Sequence, residues 1–262
     1  MCSESQFSEI FNSEAIKLYQ EKNPFEKVSN VVYNLIESAI LSSYFEPGEK
    51  LNITKIATAL QISATPVRDA VERLKLDGLI VSEQKPDSKY SNNYVFDISE
   101  KSLNDLYAFR RYIEGASSYM CAEKNWKVDI KKLGELAKGF QQLAMDELTG
   151  TAESTEALVH LDRDFHNLIV MSTDNPYIIS SYSSLEKTLN YLSRRVNKFN
   201  SNDPNPENRL LFGNQHIEIY RAIKMGFPEL ARNAAERHIE INKSICLANR
   251  RKYKLMNKDV TL

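Results

Sequence analysis

Two short helical stretches separated by a tight turn constrain the fold of this chain most. Asn52 has the side chain of an N-cap for a helix over Ile53–Leu60, and Ser63 does the same for a second helix over about Ala64–Asp77. Gly78 ends the second helix. This spacing predicts a helix-turn-helix, whose second helix can enter a DNA major groove.

Elements on both sides complete the predicted domain, residues 25–98. An amphipathic helix over 28–44 precedes the motif, because its apolar residues recur at intervals of three and four. Two short strands, Leu79–Glu83 and Tyr94–Asp97, follow it and are joined by the polar loop Gln84–Asn93. A two-stranded wing after a helix-turn-helix predicts a winged helix.

Residues 1–24 are an N-terminal extension with two open interpretations. Their apolar side chains fit one amphipathic helix, but a poorly ordered tail is equally compatible with the sequence. Asn23-Pro24 ends the pattern. The apolar side chains are Phe7, Ile10, Phe11, Ile16 and Tyr19.

The second predicted domain, residues 99–250, is all helical and is followed by a tail, 251–262. Strand patterns are missing from its sequence, and Gly, Pro and Asn clusters divide it into six helical stretches. We therefore expect a mainly α protein, with an antiparallel bundle after the winged helix. The six stretches are about 100–123, 129–147, 153–173, 176–199, 206–225 and 228–250.

Composition excludes several classes of protein. No apolar run approaches the roughly 20 residues of a membrane helix. The N-terminus has no basic start and no apolar segment, so we expect no secretory signal. Cys2, Cys121 and Cys246 are far apart in sequence, which favours reduced thiols and a cytoplasmic location.

Charge argues against tight nonspecific binding to DNA. The net charge is −1, and residues 25–100 hold eight Lys or Arg against eleven Asp or Glu, a net of −3. Phosphate neutralisation dominates nonspecific affinity, so an acidic balance weakens it. A local basic face is still available from Lys55, Arg68, Arg73, Lys75, Lys85 and Lys89.

Three histidines and an aspartate of the helical domain are candidates for a metal site. Asp162 and His166 are four apart and share one helix face, while His216 and His238 lie on later helices. His160 is six positions before His166 and points elsewhere. One carboxylate and three imidazoles suit Zn²⁺ or Ni²⁺, and also Mn²⁺ or Fe²⁺. The alternative is a set of ordinary core or surface histidines.

Arg110 is a candidate anion-binding residue. It lies on the apolar stripe of its helix with Leu103, Leu106 and Ile113. A cation in such a place needs a partner. That partner is either Glu114, one turn on, or a bound anion held by the guanidinium fork.

These motifs resemble one known family. The segment from Pro47-Gly-Glu-Lys-Leu51 to Leu79 resembles the winged helix-turn-helix of GntR-family transcription regulators, and the rest resembles their FadR-type branch with its FCD domain. Six helices rather than seven is similar to the VanR-type subgroup. The resemblance covers about residues 28–248, and its FCD motifs are Arg110-Arg-Tyr-Ile-Glu114, Asp162-Arg-Asp-Phe-His166, Asn175-Pro176, His216 with Ala222-Ile223, and Ala231 with His238.

The resemblance implies a role for each candidate in the helical domain. Asp162, His166, His216 and His238 would hold a divalent metal, and the metal and Arg110 would bind a small carboxylate effector. The protein would be a homodimer, not an enzyme. It would bind a palindromic operator on double-stranded DNA, usually as a repressor.

The helix-turn-helix also predicts a DNA-binding surface. Arg68 would reach a base edge or a phosphate, and Ser63 and Thr65 would bind phosphates at the helix N-terminus. Lys55 would add a contact, and Lys85 and Lys89 would do so from the wing.

This chain departs from the family pattern where relatives carry cations. Ala64 and Thr54 stand where many relatives have arginine, and the wing loop has no glycine at its tip. Fewer cationic contacts predict weaker recognition of phosphate or guanine.

Two other functions stay open from the sequence. One is a metal-dependent enzyme on a helical bundle, although none of the four histidines has Glu three residues before it, as di-iron bundles do. The other is a protein-interaction module whose helix-turn-helix no longer binds DNA, which the acidic balance favours.

Overall fold

The computed structural model describes residues 4–42, 44–84, 91–97, 99–150, 155–189, 191–192 and 207–258. The chain divides into two compact units. The first is Met1–Ile98 with Ser184–Tyr191, and the second is Ser99–Ser183 with Leu192–Leu262. The described residues are mainly helical with one small sheet, so the predicted fold class is confirmed.

The N-terminal extension forms two helices, α1 (Glu4–Ile10) and α2 (Ser13–Lys22), instead of one. Asn12 separates them, because its side-chain oxygen accepts a hydrogen bond from the N–H of Ala15 at 2.9 Å and caps α2. Phe11 is buried against the rings of Tyr44 and Phe45. The extension therefore contributes to the core of the first unit.

A winged helix follows the extension. Its sheet has the order β1-β3-β2, with both pairs antiparallel. The predicted strands are present with shifted bounds, but β1 was not predicted, since two residues are too short to show a strand period. The elements are α3 (Val28–Leu41), β1 (Lys50–Leu51), α4 (Ile53–Leu60), α5 (Ala64–Leu76), β2 (Ile80–Gln84) and β3 (Ser91–Val95).

The core of the winged helix lies between α3 and α5. Val32 and Ile36 are fully buried on α3, and Val67, Val71 and Leu74 are fully buried on α5. These residues recur at intervals of three or four, so each helix presents one apolar stripe. Burial of each such side chain contributes about 1.5–3 kcal/mol and fixes the angle of α5.

Residues 184–191 also belong to the first unit. The predicted helix over 176–199 is interrupted here by a turn at 184–185, and its residues 193–199 lie outside the described part. The hydroxyl of Thr188 lies against Gly78, where an added Cβ would overlap it. Gly78 has φ of +71°, a conformation that a glycine adopts without strain.

The second unit is an antiparallel helical bundle. A 3₁₀ turn at Asn125–Lys127 separates its first two helices. The last helix continues past the predicted end at residue 250. The helices are α6 (Glu100–Glu123), α7 (Ile130–Leu148), α8 (Thr155–Met171), α9 (Pro176–Ser183), α10 (Glu207–Met225) and α11 (Pro228–Lys258).

Small and aliphatic side chains bring these helices together. A Cβ at Gly213 of α10 would lie 2.8 Å from Cα of Gln141, so glycine allows α7 and α10 to approach closely. Leu133, Phe165, Ile223 and Ala231 come from four different helices and are fully buried in one cluster. No helix in the described ranges is long and apolar enough to cross a membrane.

Candidate functional site

Three helices of the second unit bring four potential metal ligands together. Asp162 and His166 come from α8, His216 from α10 and His238 from α11. One ligand atom from each residue lies within 4.8 Å of the others. The three imidazoles are buried, and the side chain of Asp162 is 22% exposed. The sequence named these four residues, and the fold places them at one point.

Aromatic rings fix the histidines in this cluster. The ring of Phe165 stacks on His216 with centroids 4.4 Å apart, and Phe140 meets the same imidazole edge-on at 4.8 Å. Phe212 meets His238 edge-on at 5.8 Å. Packed rings restrict the rotamers of the imidazoles, which preorganises the site.

Two residues outside the cluster orient two of its imidazoles. Nδ1 of His238 lies 2.9 Å from Oε1 of Gln215, an oxygen that can only accept, so Nδ1 carries the proton. Nδ1 of His166 forms an ion pair with Oε2 of Glu114 at 2.6 Å. The two Nε2 atoms consequently face each other at 3.3 Å.

His216 shows that the cluster fits a metal ion. Both of its ring nitrogens are buried without a hydrogen-bond partner among the described residues. Oδ1 of Asp162 lies 3.4 Å from Nε2 of His216 and 3.6 Å from Nε2 of His166. A buried polar atom without a partner is costly, and an ion bound by imidazole nitrogen and carboxylate oxygen would satisfy it.

The electrostatics of the cluster favour two carboxylates and one cationic imidazole when no ion is bound. Burial lowers the pKa of His166, but Glu114 and Asp162 more than offset this and raise it to about 9. Burial lowers the pKa of both His216 and His238. Burial raises the pKa of Asp162, but the adjacent His166 and His216 outweigh it and hold that pKa well below its usual value.

Arg110 and Glu114 form a buried ion pair next to the cluster. Nε of Arg110 lies 2.7 Å from Oε1 of Glu114, and both side chains are less than a tenth exposed. Burial opposes the charge on Glu114, but Arg110 and His166 lower its pKa to about 2. The hydroxyl of Tyr182 on α9 donates to the same Oε1 at 3.4 Å. The internal partner that the sequence offered for Arg110 is therefore present.

His160 is placed apart from the cluster. Its side chain is 45% exposed, and its nearest recorded partner is Glu156 at 3.9 Å on the same helix. This agrees with the direction inferred from its spacing to His166.

The predicted DNA-contacting residues of the helix-turn-helix are on the surface of the first unit. Ser63, Thr65, Arg68 and Lys55 are exposed. Ser63 occupies the N-cap position of α5, but its side chain makes no capping hydrogen bond. Nζ of Lys55 lies 4.4 Å from the ring centroid of Phe7 in α1. The wing residues Lys85 and Lys89 lie outside the described part of the chain.

Comparison with known families agrees with both units. Residues 28–86 match the gntR family of bacterial regulatory proteins, and residues 105–241 match the FCD domain. The chain belongs to the GntR family of transcription regulators. The FCD domain of this GntR protein covers the second unit's ion pair and all four clustered residues, and members of its FadR-type branch have the same two-domain organisation.

Individual relatives are distant but consistent. The protein is 26% identical over 147 residues to YdhC, an uncharacterised HTH-type transcriptional regulator of Bacillus subtilis, spanning 56% of this chain and 61% of that protein's length. It is 23% identical over 224 residues to the HTH-type transcriptional repressor RspR of Escherichia coli, spanning 85% of this chain and 91% of that one. Both are named as transcription regulators, as the family is, so the enzyme alternative has no support.

Solved structures share the fold. E. coli McbR/YncC matches 86% of this GntR protein and 100% of its own chain, with a TM-score of 0.60 and 17% identity. A GntR regulator from Rhodococcus sp. RHA1 matches 84% and 97%, with a TM-score of 0.60 and 20% identity. At these identities the likeness concerns the fold alone.

Sequence reasoning missed two residues of the site. Gln215 precedes a named histidine on α10, but a helix turns about 100° per residue, so sequence adjacency gave no reason to expect its contact with His238. Tyr182 reaches Glu114 from a helix 68 positions later in the chain. Only the packed structure reveals such partners.

Proposed function

We propose that this GntR regulator is a homodimeric, cytoplasmic repressor controlled by a small carboxylate. The acid would bind to Arg110 and to a divalent metal, Zn²⁺ or Ni²⁺ in preference to Mn²⁺ or Fe²⁺. Asp162, His166, His216 and His238 would hold the metal. The observation that carries the proposal is the set of three buried imidazoles and one carboxylate, in which the ring nitrogens of His216 have no hydrogen-bond partner among the described residues and Glu114 connects His166 to Arg110.

The guanidinium of Arg110 suits a carboxylate that approaches end-on. Its Nε is paired with Glu114, which leaves Nη1 and Nη2 as the fork for a second carboxylate. Buried arginine rarely lacks a full set of partners, and Glu114 is its one recorded ion-pair partner among the described residues. We therefore assign the effector's carboxylate to the two Nη groups.

A bound metal would act as a Lewis acid that attracts a second oxygen of the effector. The residues of this chain provide the rest of the recognition. Gln215 and Glu114 contact two of the imidazoles, and the rings of Phe140, Phe165 and Phe212 pack against His216 and His238. Burial of the three imidazoles strengthens electrostatic contacts with the acid.

The N-terminus of α5 would read DNA in each subunit. The first turn of α5 has no acidic residue, and the hydroxyls of Ser63 and Thr65 are exposed beside its free N–H groups. Such a helix end binds phosphate well. Arg68, one turn further on, would contact a base edge, while Lys55 and the wing lysines Lys85 and Lys89 would contact the backbone.

A dimer would place two such helices about 34 Å apart, one turn of DNA, on a palindromic operator. The acid would change operator affinity only as far as it binds one arrangement of the dimer more tightly than the other. Repression relieved by the acid is the outcome that this proposal specifies.

Measuring the metal content of the purified protein and of its variants tests the metal site in this proposal. Protein purified without chelator should contain one divalent ion per chain, located by anomalous X-ray scattering between the four ligands. His216→Ala should lose the ion, whereas His160→Ala, which removes an exposed histidine of α8, should keep it. Equal metal content in the two variants would overturn the assignment.

The DNA part is tested by selecting duplexes from a random pool with the full-length protein. We expect an enriched palindrome whose half-sites are about one helical turn apart. A pool that shows no enriched sequence would support the interaction-module alternative instead.

A further inference from the structure

The charged side chains around the candidate site select the charge of its ligand. We infer that the metal-loaded site takes a monocarboxylate of charge −1 and discriminates against dicarboxylates of similar shape. This inference rests on the proposed function and specifies the class of effector.

Among the described residues, the ion pairs of the cluster and of Glu114 bring in three charged side chains other than histidine. Arg110 contributes +1, and Glu114 and Asp162 contribute −1 each, which leaves −1 in all. The three histidines are neutral when they act as metal ligands. A divalent ion therefore changes the total from −1 to +1.

Two charged residues next to site residues in sequence, Arg163 and Arg111, are paired with carboxylates towards the surface. Arg163 pairs with Asp164 at 2.9 Å on α8, and Arg111 of α6 lies 4.0 Å from Glu236 of α11. The nearby phenols are uncharged hydrogen-bond donors, Tyr107 to Asn242 and Tyr182 to Glu114. None of these groups changes the total at the site.

An uncompensated buried charge is expensive, at several kcal/mol for one ion. One carboxylate brings the metal-loaded site to zero. A second carboxylate brings it to −1, and a neutral ligand leaves +1, so both of those states retain an unbalanced charge. The site consequently favours a monoanion over a dianion of the same shape.

The same count of charges makes binding of the acid depend on the metal. Without the ion the site carries −1, and a proton held among the imidazoles brings it only to zero, so neither state attracts an anion. Acid and metal then increase each other's affinity by the same factor, since linkage is reciprocal.

Glu114 determines this selectivity because it is a buried negative charge that is not itself one of the four ligands. Glu114→Gln keeps the shape of the side chain and changes the metal-loaded total from +1 to +2. The variant should then favour a dianion relative to the wild-type protein.

The experiment uses full-length protein loaded with Zn²⁺ and calorimetric titration at pH 7.5. The probes are three pairs of acids that differ by one carboxylate: acetate with malonate, propionate with succinate, and lactate with malate. Zinc content is measured after each titration, because dicarboxylates can extract the metal. Chelated protein is titrated in parallel.

We expect the monoanion of at least one pair to bind about ten-fold or more tighter than its dianion. A ten-fold ratio corresponds to a difference of about 1.4 kcal/mol in binding free energy. Chelated protein should not bind it, and Glu114→Gln should move the ratio by about ten-fold or more towards the dianion. If that variant does not fold or hold zinc, the wild-type ratio and the metal dependence decide.

Tighter binding of the dianions, or equal binding without zinc, would overturn the inference and leave the proposed carboxylate effector standing. An unchanged ratio in folded, zinc-loaded Glu114→Gln would also overturn it. Failure of all six acids to bind the wild-type protein would overturn both the inference and the effector part of the proposed function.

Discussion

Oε2 of Glu114 lies 2.6 Å from Nδ1 of His166, and the other oxygen of the same carboxylate pairs with the guanidinium of Arg110. One buried side chain thus connects the candidate metal ligands to the candidate anion-binding cation. Through this carboxylate, a change at either end alters the electrostatic environment of the other. This arrangement is the physical basis for linking metal and effector in one site.

Gln215 should be a positioning residue for His238. Gln215→Leu removes the acceptor for Nδ1 and should lower metal affinity by about 10–100-fold, the usual effect of losing such a partner. Gln215→Glu keeps an acceptor and should restore most of the affinity. Competition with a chromogenic chelator measures both.

The matched control is Gln141→Leu. Gln141 donates to Asn214 on the exposed side of α10, and no hydrogen bond from it to the four clustered residues is recorded among the described residues. Similar losses in Gln141→Leu and Gln215→Leu would mean that general destabilisation, and not orientation of His238, explains the effect.

Arg68 should contribute sequence specificity and Lys55 mainly phosphate contact. Arg68→Ala should weaken operator binding by about 1–3 kcal/mol and relax the preference at one base position. Lys55→Ala should weaken binding to all duplexes alike. It should also reduce the slope of log affinity against log salt concentration by about one, the amount expected for one lost phosphate contact.

Fluorescence anisotropy over a range of salt concentrations, with the selected duplex and its single-base variants, separates the two effects. Arg73→Ala is a useful comparison, because Arg73 is at the other end of α5 and its guanidinium stacks on Tyr33 of the same unit. A specificity pattern for Arg68→Ala that matches Arg73→Ala would remove Arg68 from base recognition.

A side chain at Gly78 should lower the free energy of unfolding for two separable reasons, the backbone conformation and steric overlap. Gly78 and Gly150 have similar positive φ values of +71° and +73°, but only Gly78 has a neighbour, Thr188, where a Cβ would lie. Gly150→Ala should cost about 1–2 kcal/mol of unfolding free energy from the backbone alone, and Gly78→Ala about 2–5 kcal/mol, since steric overlap adds to it.

Urea unfolding followed by circular dichroism measures these costs. In a Thr188→Ala background the cost of Gly78→Ala should fall to that of Gly150→Ala, because the overlapping hydroxyl is gone. A cost that is the same in both backgrounds would show that residues 184–191 do not pack against the winged helix as described.

The buried cysteines should be unreactive in the native protein. Burial raises the pKa of Cys121 to about 12 and that of Cys246 to about 11, so at pH 8 both are almost entirely in the unreactive thiol form. In a Cys2→Ser variant, a thiol reagent should label neither residue at pH 8 until the protein is unfolded. Rapid labelling under native conditions would contradict their burial.

Much of the fold is predictable because it follows from local signals. Apolar residues at intervals of three and four give the helices, and Asn52 and Gly78 set boundaries through capping and turn chemistry. The interruption after Ser183 was missed, because the sequence there still fits a helix and tertiary contacts of residues 184–191 decide its course.

The candidate site is predictable to the extent that its residues repeat along helices. Asp162 and His166 are one turn apart, so their shared face follows from helix geometry. His216 and His238 lie on later helices, so the sequence alone made them candidates for the cluster, and the family resemblance strengthened that prediction. The contacts of Gln215 and Tyr182 required the structure, because they join helices far apart in sequence.

The most direct test of the whole account measures operator affinity as metal and acid are varied together. The selected duplex is labelled, and its dissociation constant is determined for zinc-loaded protein, chelated protein and zinc-loaded Arg110→Gln, each with and without the best-binding monocarboxylate. We expect the acid to weaken DNA binding by about 5–150-fold, the usual range of allosteric coupling, in zinc-loaded wild-type protein and not in the other two. An operator affinity that the acid leaves unchanged in all three, or changes equally in all three, would contradict the account.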